Sequence, residues 1–203
     1  MTRDGLLIDF GGVLTSNVFE SFAAFCRAEG LDPDTVRDRF MQDRAARDLL
    51  GELEEGRISN TDFETRFAPM IGAAEPEGLI ARLFAGMQHD EAMFDAVAAA
   101  RRAGIRTGLV SNSWGEEGYD RTRFDELFDV LVISGELGVR KPAPEIYALA
   151  AERLGRPPER CVFVDDLPGN LKPAREIGMA TVHHRTAAQT IRELEELLGV
   201  SLR

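Results

Sequence analysis

Five short apolar runs alternating with helical stretches constrain this chain more than any other feature of its sequence. The runs are Gly5–Phe10, Ile105–Val110, Val130–Ile133, Cys161–Val164 and Ala180–His183, with Val and Ile prominent, as in strands buried on both faces. Helical periodicity occupies Glu91–Ala103, Glu116–Phe128, Pro144–Leu154, Gly169–Ile177 and Ala187–Leu198, and Gly104, Gly155, Gly178 and Gly199 are placed to end helices. Strands and helices in this rhythm predict an α/β fold, a parallel sheet covered by helices.

One stretch breaks the rhythm. Between the first run and Glu91, apolar residues recur at helical spacing (Phe19, Phe22, Ala23 and Phe25, then Val36 and Phe40, then Phe63 and Phe67) and no strand-like run appears. A helical insertion over 16–88 is therefore expected, within a core built from 1–15 and 89–203. Ser59 or Asn60 is placed to cap one of its helices. The length of 203 residues and 44% hydrophobic content suit one packed domain with such an insertion and exclude a disordered chain.

Lys and Arg number 24 against 35 Asp and Glu, a net charge of −11 with no basic cluster. That charge repels nucleic-acid phosphates and anionic membrane surfaces, so neither is expected as a partner. Asp9 interrupts the apolar start of the chain, and no stretch approaches the roughly 18 apolar residues of a membrane span, so neither export nor anchoring is expected. Cys26 and Cys161 lie far apart, Cys161 beside an apolar run, which fits free thiols in a reducing cytoplasm. Oligomeric state is not legible.

In a doubly wound sheet, ligands bind beyond the carboxyl ends of the strands, and those ends are polar here. The first run closes in Asp9-Phe10-Gly11-Gly12, the second leads to Ser111-Asn112-Ser113, and the fourth to Asp165-Asp166; Arg140-Lys141-Pro142 follows the third. A single Asp after a strand is usually a turn former or helix cap. Two adjacent like charges exceed what a cap requires, and three carboxylates in one place call for a cation. An oxygen-rich donor set suits Mg²⁺. Ser111 and Asn112 taken alone read equally as a turn, and Lys141 taken alone as an exposed lysine, although the rigid Pro142-Ala143-Pro144 beside it favours an aimed ammonium.

In this order Asp9, Ser111-Asn112, Lys141 in RKPAPEIY and the pair in VFVDDLPGN resemble the four motifs of the haloacid dehalogenase superfamily. SNSW, RKPAPEIY and VDDLPGNLKPAREIGM are similar to the amino-terminal phosphatase domain of soluble epoxide hydrolases, and GELEEGRISNTDF to bacterial α-D-glucose-1-phosphate phosphatases. The resemblance implies a Rossmann-like, doubly wound sheet in the order 5-4-1-2-3, with the insertion as a helical cap over the pocket. It also implies that Asp9 is a nucleophile that becomes an aspartyl phosphate. Mg²⁺ would be held by Asp9, the Gly11 carbonyl and Asp166, with Asp165 as a further ligand or behind it. Ser111 and Asn112 would donate to phosphoryl oxygens, Lys141 would stabilise their charge, and Asn170 would orient the acidic pair.

Residue 11 departs from the pattern. Most phosphatases of the superfamily carry there a second Asp that protonates the leaving group, and this chain has Gly11. General acid–base catalysis typically contributes ~10²–10⁴-fold, so good leaving groups are favoured: sugar 1-phosphates, aryl and acyl phosphates. His89, His183 and His184 are weak replacements, each more readily a solvent-facing side chain. Phe19 and Phe22 read as core, and Arg44 and Arg47 as a solvated helix face. Against the phosphatase stand a metal-independent dehalogenase, which has no use for two further carboxylates, and a phosphate-binding homologue without turnover.

Overall fold

The computed structural model describes residues 2–115, 119 and 121–202, with residues 121 and 122 described by their backbone alone. Strand β1 (Gly5–Ile8) leads into five helices, α1 (Val18–Ala28), α2 (Thr35–Gln42), α3 (Arg44–Glu54), α4 (Asn60–Ile71) and α5 (Leu79–Phe84). After them come α6 (Glu91–Arg102), β2 (Arg106–Ser111), α7 (Arg121–Leu127), β3 (Val130–Ile133), α8 (Ser134–Leu137), α9 (Pro144–Leu154), β4 (Cys161–Asp165), α10 (Pro168–Glu176), β5 (Ala180–His183) and α11 (Ala187–Leu198). The strands pair in parallel in the order β3-β2-β1-β4-β5. That is the expected order 5-4-1-2-3 counted from the other edge.

All five strands form where the apolar runs placed them, and α9 and α11 coincide with their expected spans. β1 ends before Asp9 and Phe10 because the Phe10 N–H turns to the Asp9 carboxylate at 2.7 Å instead of continuing the ladder. Of the helix expected over Glu116–Phe128, residues 116–118 and 120 lie outside the described residues. The four-residue α8 was not expected; its Gly138 end is too close to β3 to leave a periodic pattern.

Alternation along β1 explains why the sheet is covered on both sides. Leu6 and Ile8 pack with Met93 and Val97 of α6 and Leu194 and Leu198 of α11. Leu7 faces the opposite layer with Ile146 and Tyr147 of α9 and Leu171 and Ala174 of α10. Each such apolar side chain contributes about 1.5–3 kcal/mol on burial, so shifting the strand by one residue would exchange the two faces.

Helices α1 to α5 have a core of their own, including Phe22, Phe25, Phe40, Leu53, Phe63, Phe67 and Leu83. Ser59 caps α4, its hydroxyl and the Asp62 carboxylate bonding reciprocally to backbone N–H groups. The chain crosses into and out of these helices side by side: Thr15 and His89 form an isolated antiparallel bridge, and the Ser16 N–H donates to the Gln88 carbonyl at 2.7 Å. Cys26 and Cys161 are free and buried. Among the described residues no helix is long and apolar enough to cross a membrane.

Candidate active site

Parallel strands deliver their carboxyl ends to one edge, and the register sets which residues meet there. Ile8 lies beside Leu109 on one side and Val164 on the other, so Asp9, one residue on, meets Asp165 at the end of β4. The Asp9 N–H donates to the Val164 carbonyl at 3.0 Å and fixes the turn. Asp9, Asp165 and Asp166 each offer a carboxylate oxygen within 4.8 Å of the others.

Lys141 enters this group from the loop before α9. Its Nζ lies 2.7 Å from Asp9 Oδ1 and 2.7 Å from Asp165 Oδ2, and its side chain is only 2% exposed. Burial works against the ammonium, but Asp165 and then Asp9 outweigh it and hold the lysine above its ordinary value. Burial raises the Asp9 carboxyl, with Lys141 opposing and Asp165 and Asp166 adding to the rise. Burial and the charge of Asp165 push Asp166 up to about 6. One ammonium thus faces three carboxylates, an excess of negative charge that a divalent cation matches.

The two adjacent aspartates are not equivalent. Asp165 Oδ1 accepts from the Leu167 N–H at 2.8 Å and from Asn170 Nδ2 at 3.0 Å, while Oδ2 accepts from Asn170 at 3.1 Å and from Lys141. Its lone pairs are taken. Asp166 makes none of these commitments and lies over Gly12, whose φ is +73° and where an added Cβ would come within 2.8 Å of the carboxylate carbon. Gly12 therefore serves twice, supplying a left-handed turn and leaving room for the carboxylate. At Gly11 a Cβ would meet only Val18 Cγ2 of α1, at 3.1 Å.

On the other side of Asp9, Ser111 ends β2 with its Oγ 2.9 Å from the Tyr119 hydroxyl, whose acidity burial weakens, to a pKa of about 12. The Asn112 amide turns to Lys141: Oδ1 accepts the Lys141 N–H at 2.8 Å, and Nδ2 donates to the Lys141 carbonyl at 3.0 Å. The histidines are dispersed. His183 Nε2 lies 3.0 Å from the Asp166 carbonyl, His184 is turned to Thr190, and His89 stands beside Arg123. Arg47 donates to the Phe40 and Met41 carbonyls, Arg44 pairs with Asp48, and Phe22 is buried in the helical insertion.

Sequence reasoning missed three residues beside the site. Tyr119 is one. Glu54, at the end of α3, is buried against Arg140 Nη1 at 2.8 Å and Asn112 Nδ2 at 3.3 Å, and burial, opposed by Arg140, raises its carboxyl to about 7. Trp114 leaves the loop after β2 and enters the insertion's core, its ring 5.1 Å from Phe84 and 5.7 Å from both Phe22 and Phe63, centroid to centroid. Trp114 and Phe22 do carry a sequence signal, their size and apolarity, but nothing in their spacing pairs them.

Fold and site together define a doubly wound α/β protein with a carboxylate and lysine centre at its topological switch point. The chain matches the family model of haloacid dehalogenase-like hydrolases over residues 4–178 and belongs to that family. It is 34% identical over 140 residues to bifunctional epoxide hydrolase 2 of Rattus norvegicus, across 63% of this chain and 25% of the relative, so it spans about a quarter of that protein. It is 26% identical over 206 residues to D-ribitol-5-phosphate phosphatase of Bacteroides thetaiotaomicron, across 96% of this chain and 98% of the relative. A HAD family enzyme from the same organism, solved as a magnesium complex, has the same fold with a TM-score of 0.67 at 23% identity, covering 91% of this chain and 94% of the other.

Proposed function

We propose that this hydrolase is a Mg²⁺-dependent phosphatase of a small phosphorylated metabolite, sugar phosphates included, acting through a phosphorylated Asp9. The observation that carries the reading is the Lys141 ammonium held 2.7 Å from both Asp9 and Asp165, a fixed positive charge where an anionic substrate meets a nucleophilic carboxylate. Residues 1–15 and 89–203 form the catalytic core in this reading, and 16–88 the cap. Free, buried cysteines suit the cytoplasm.

The residues present fit the metal: hard oxygen donors, with more carboxylate charge than one lysine offsets. Asp9, Asp166 and the Gly11 carbonyl would hold it. Asp165, whose oxygens are committed to Lys141, Asn170 and the Leu167 N–H, would align the lysine. When bound, Mg²⁺ supplies charge neutralisation between carboxylates and phosphate. A metal-independent dehalogenase leaves Asp166 without a use.

Asp9 Oδ1 is engaged by the Phe10 N–H and Lys141, which leaves Oδ2 to attack phosphorus. The bond from phosphorus to the leaving oxygen breaks as the Asp9 acyl phosphate forms, and the departing alkoxide takes a proton from solvent; water then attacks phosphorus and breaks the acyl phosphate bond, giving up a proton to the released phosphate or to solvent and restoring the carboxylate. Ser111 and Lys141 hold phosphoryl oxygens; Asn112, expected beside them as a donor, has its Nδ2 directed to the Lys141 carbonyl and Glu54 and its Oδ1 to the Lys141 N–H, and in this reading braces the lysine instead. No carboxyl stands at Gly11 to protonate the departing alkoxide, so rates should fall steeply as leaving groups become more basic. A series of aryl and alkyl phosphates, with EDTA and Asp9→Asn controls, tests this. Equal rates for aryl and alkyl esters would remove the missing-acid argument. Phosphate release in EDTA or from Asp9→Asn would remove the mechanism. Gly11→Asp, whose Cβ would meet Val18 Cγ2 at 3.1 Å, should accelerate alkyl esters selectively or weaken Mg²⁺ binding; no effect on either would place residue 11 outside the site.

A further inference from the structure

Three contacts fix the Asn112 amide, and only two of them belong to the core. Its Oδ1 and one Nδ2 hydrogen grip the backbone N–H and carbonyl of Lys141 at 2.8 and 3.0 Å, and the remaining hydrogen points to Glu54 Oε2 at 3.3 Å. The same Glu54 oxygen accepts from Arg140 Nη1 at 2.8 Å, and Arg140 is the residue before Lys141. Glu55 adds a second carboxylate to Arg140, 3.5 Å from its Nε. The Glu54 carbonyl accepts from Ser134 Oγ, whose oxygen in turn accepts the Ser113 N–H at 2.8 Å. Gly56 lies directly on the backbone of Gly135, with no room for a Cβ. The end of α3 is thus seated on the two loops that carry Asn112 and Lys141.

We infer that Glu54 is a positioning residue: seated with the cap, it sets the Asn112 amide and the Arg140-Lys141 backbone, and so completes the phosphoryl site. The lysine stem is flexible, but its ammonium must stay within hydrogen-bond range of two carboxylates at once, and such bonds weaken beyond about 3.2 Å. A displacement of ~1 Å in a reacting group costs on the order of 10²-fold. Substrate and cap therefore meet a site whose lysine is aimed only while Glu54 is docked. For its kinetic part the inference rests on the phosphatase reading.

The test compares Glu54→Ala, Glu54→Gln and, as a control on the same helix, Glu52→Ala, whose partner Arg66 lies within the cap. Two quantities are measured: steady-state constants with p-nitrophenyl phosphate and Mg²⁺, and hydrogen exchange at the Lys141 amide by NMR in the absence of substrate. Glu54→Ala is expected to lower kcat by about 10–100-fold with a KM change under about 3-fold, and to speed Lys141 exchange about tenfold. Glu54→Gln, which keeps an acceptor oxygen for Asn112 and Arg140, should recover most of both losses; Glu52→Ala should match the wild type. A lower melting temperature in Glu54→Ala with kcat and Lys141 exchange unchanged would overturn the inference and leave a merely structural contact. If the wild type has no phosphatase activity, the function proposal fails, and the exchange arm alone decides the positioning role.

Discussion

Lys141→Met removes the ammonium and keeps the stem. Asp9 and Asp165, which both approach Nζ to 2.7 Å and are both buried, are then left facing each other without a counterion, and Asp9, whose carboxyl burial already raises, must take up a proton for the chain to fold. An unfolded Asp titrates at about 3.9, so loading a proton at pH 7.5 costs about 3.6 × 1.36, or about 5 kcal/mol, and at pH 5.5 only about 2 kcal/mol. The first figure agrees with the ~3–5 kcal/mol lost when one partner of a buried pair is removed. At about 2–4 °C per kcal/mol for a chain of this size, the variant should melt about 10–20 °C below the wild type at pH 7.5 and about 4–8 °C below it at pH 5.5. The sign follows from linkage: a folded state that binds an extra proton loses stability as pH rises. Thermal melts followed by circular dichroism in EDTA at the two pH values measure it. Adding Asp9→Asn to Lys141→Met removes one carboxylate and should restore most of the loss. An equal melting shift at both pH values, or no rescue in the double variant, would refute the claim that the Lys141 charge opposes the rise that burial imposes on Asp9.

Gly12→Ala places a side chain at φ +73° and against the Asp166 carboxylate; it should cost about 1–2 kcal/mol of stability and weaken Mg²⁺ binding about tenfold by calorimetry, and unchanged affinity would mean Asp166 is not a ligand. The folded-state carboxyls of Asp166 (about 6) and Glu54 (about 7) lie above their unfolded values, so they stabilise below about pH 4 and this contribution is lost as pH rises through 6 to 7. Melting temperature in EDTA should fall across that window, and saturating Mg²⁺ should flatten the fall by replacing the proton at Asp166; parallel curves would contradict it. Trp114→Ala empties the ring cage of Phe22, Phe63 and Phe84 and should cost about 3 kcal/mol, about 6–12 °C in melting temperature, with limited proteolysis quickest within 16–88; cleavage confined to the core would place the anchor elsewhere.

The parts of this molecule that were legible in its sequence are those whose signal is local. A strand buried on both faces announces itself as a run of Val, Ile and Leu, and parallel pairing then carries Asp9, Ser111 and Asp165 to one edge whatever lies between them. The chemistry could be read because topology performs the convergence. The roles of Asp165 and Asp166 could not be separated, since neighbours at a strand end point to opposite sides, and only the contacts of Lys141, Asn170 and Leu167 show which carboxylate is spent. Glu54 sits among Glu52 and Glu55 in a run that reads as a polar helix end, and its partner Arg140 is 86 residues away. Trp114 reads as one more apolar residue in a loop, yet it belongs to the core of the other helical layer. No spacing rule links such pairs, because they depend on how two separately cored units dock. The carboxylate centre is thus encoded at strand ends, where a few residues suffice, whereas the seating of helices α1 to α5 is encoded in side-chain pairs such as Glu54 with Arg140 and Trp114 with Phe84. That difference in encoding is why the motifs at the strand ends could be read from the sequence while the contacts that seat helices α1 to α5 against them could not.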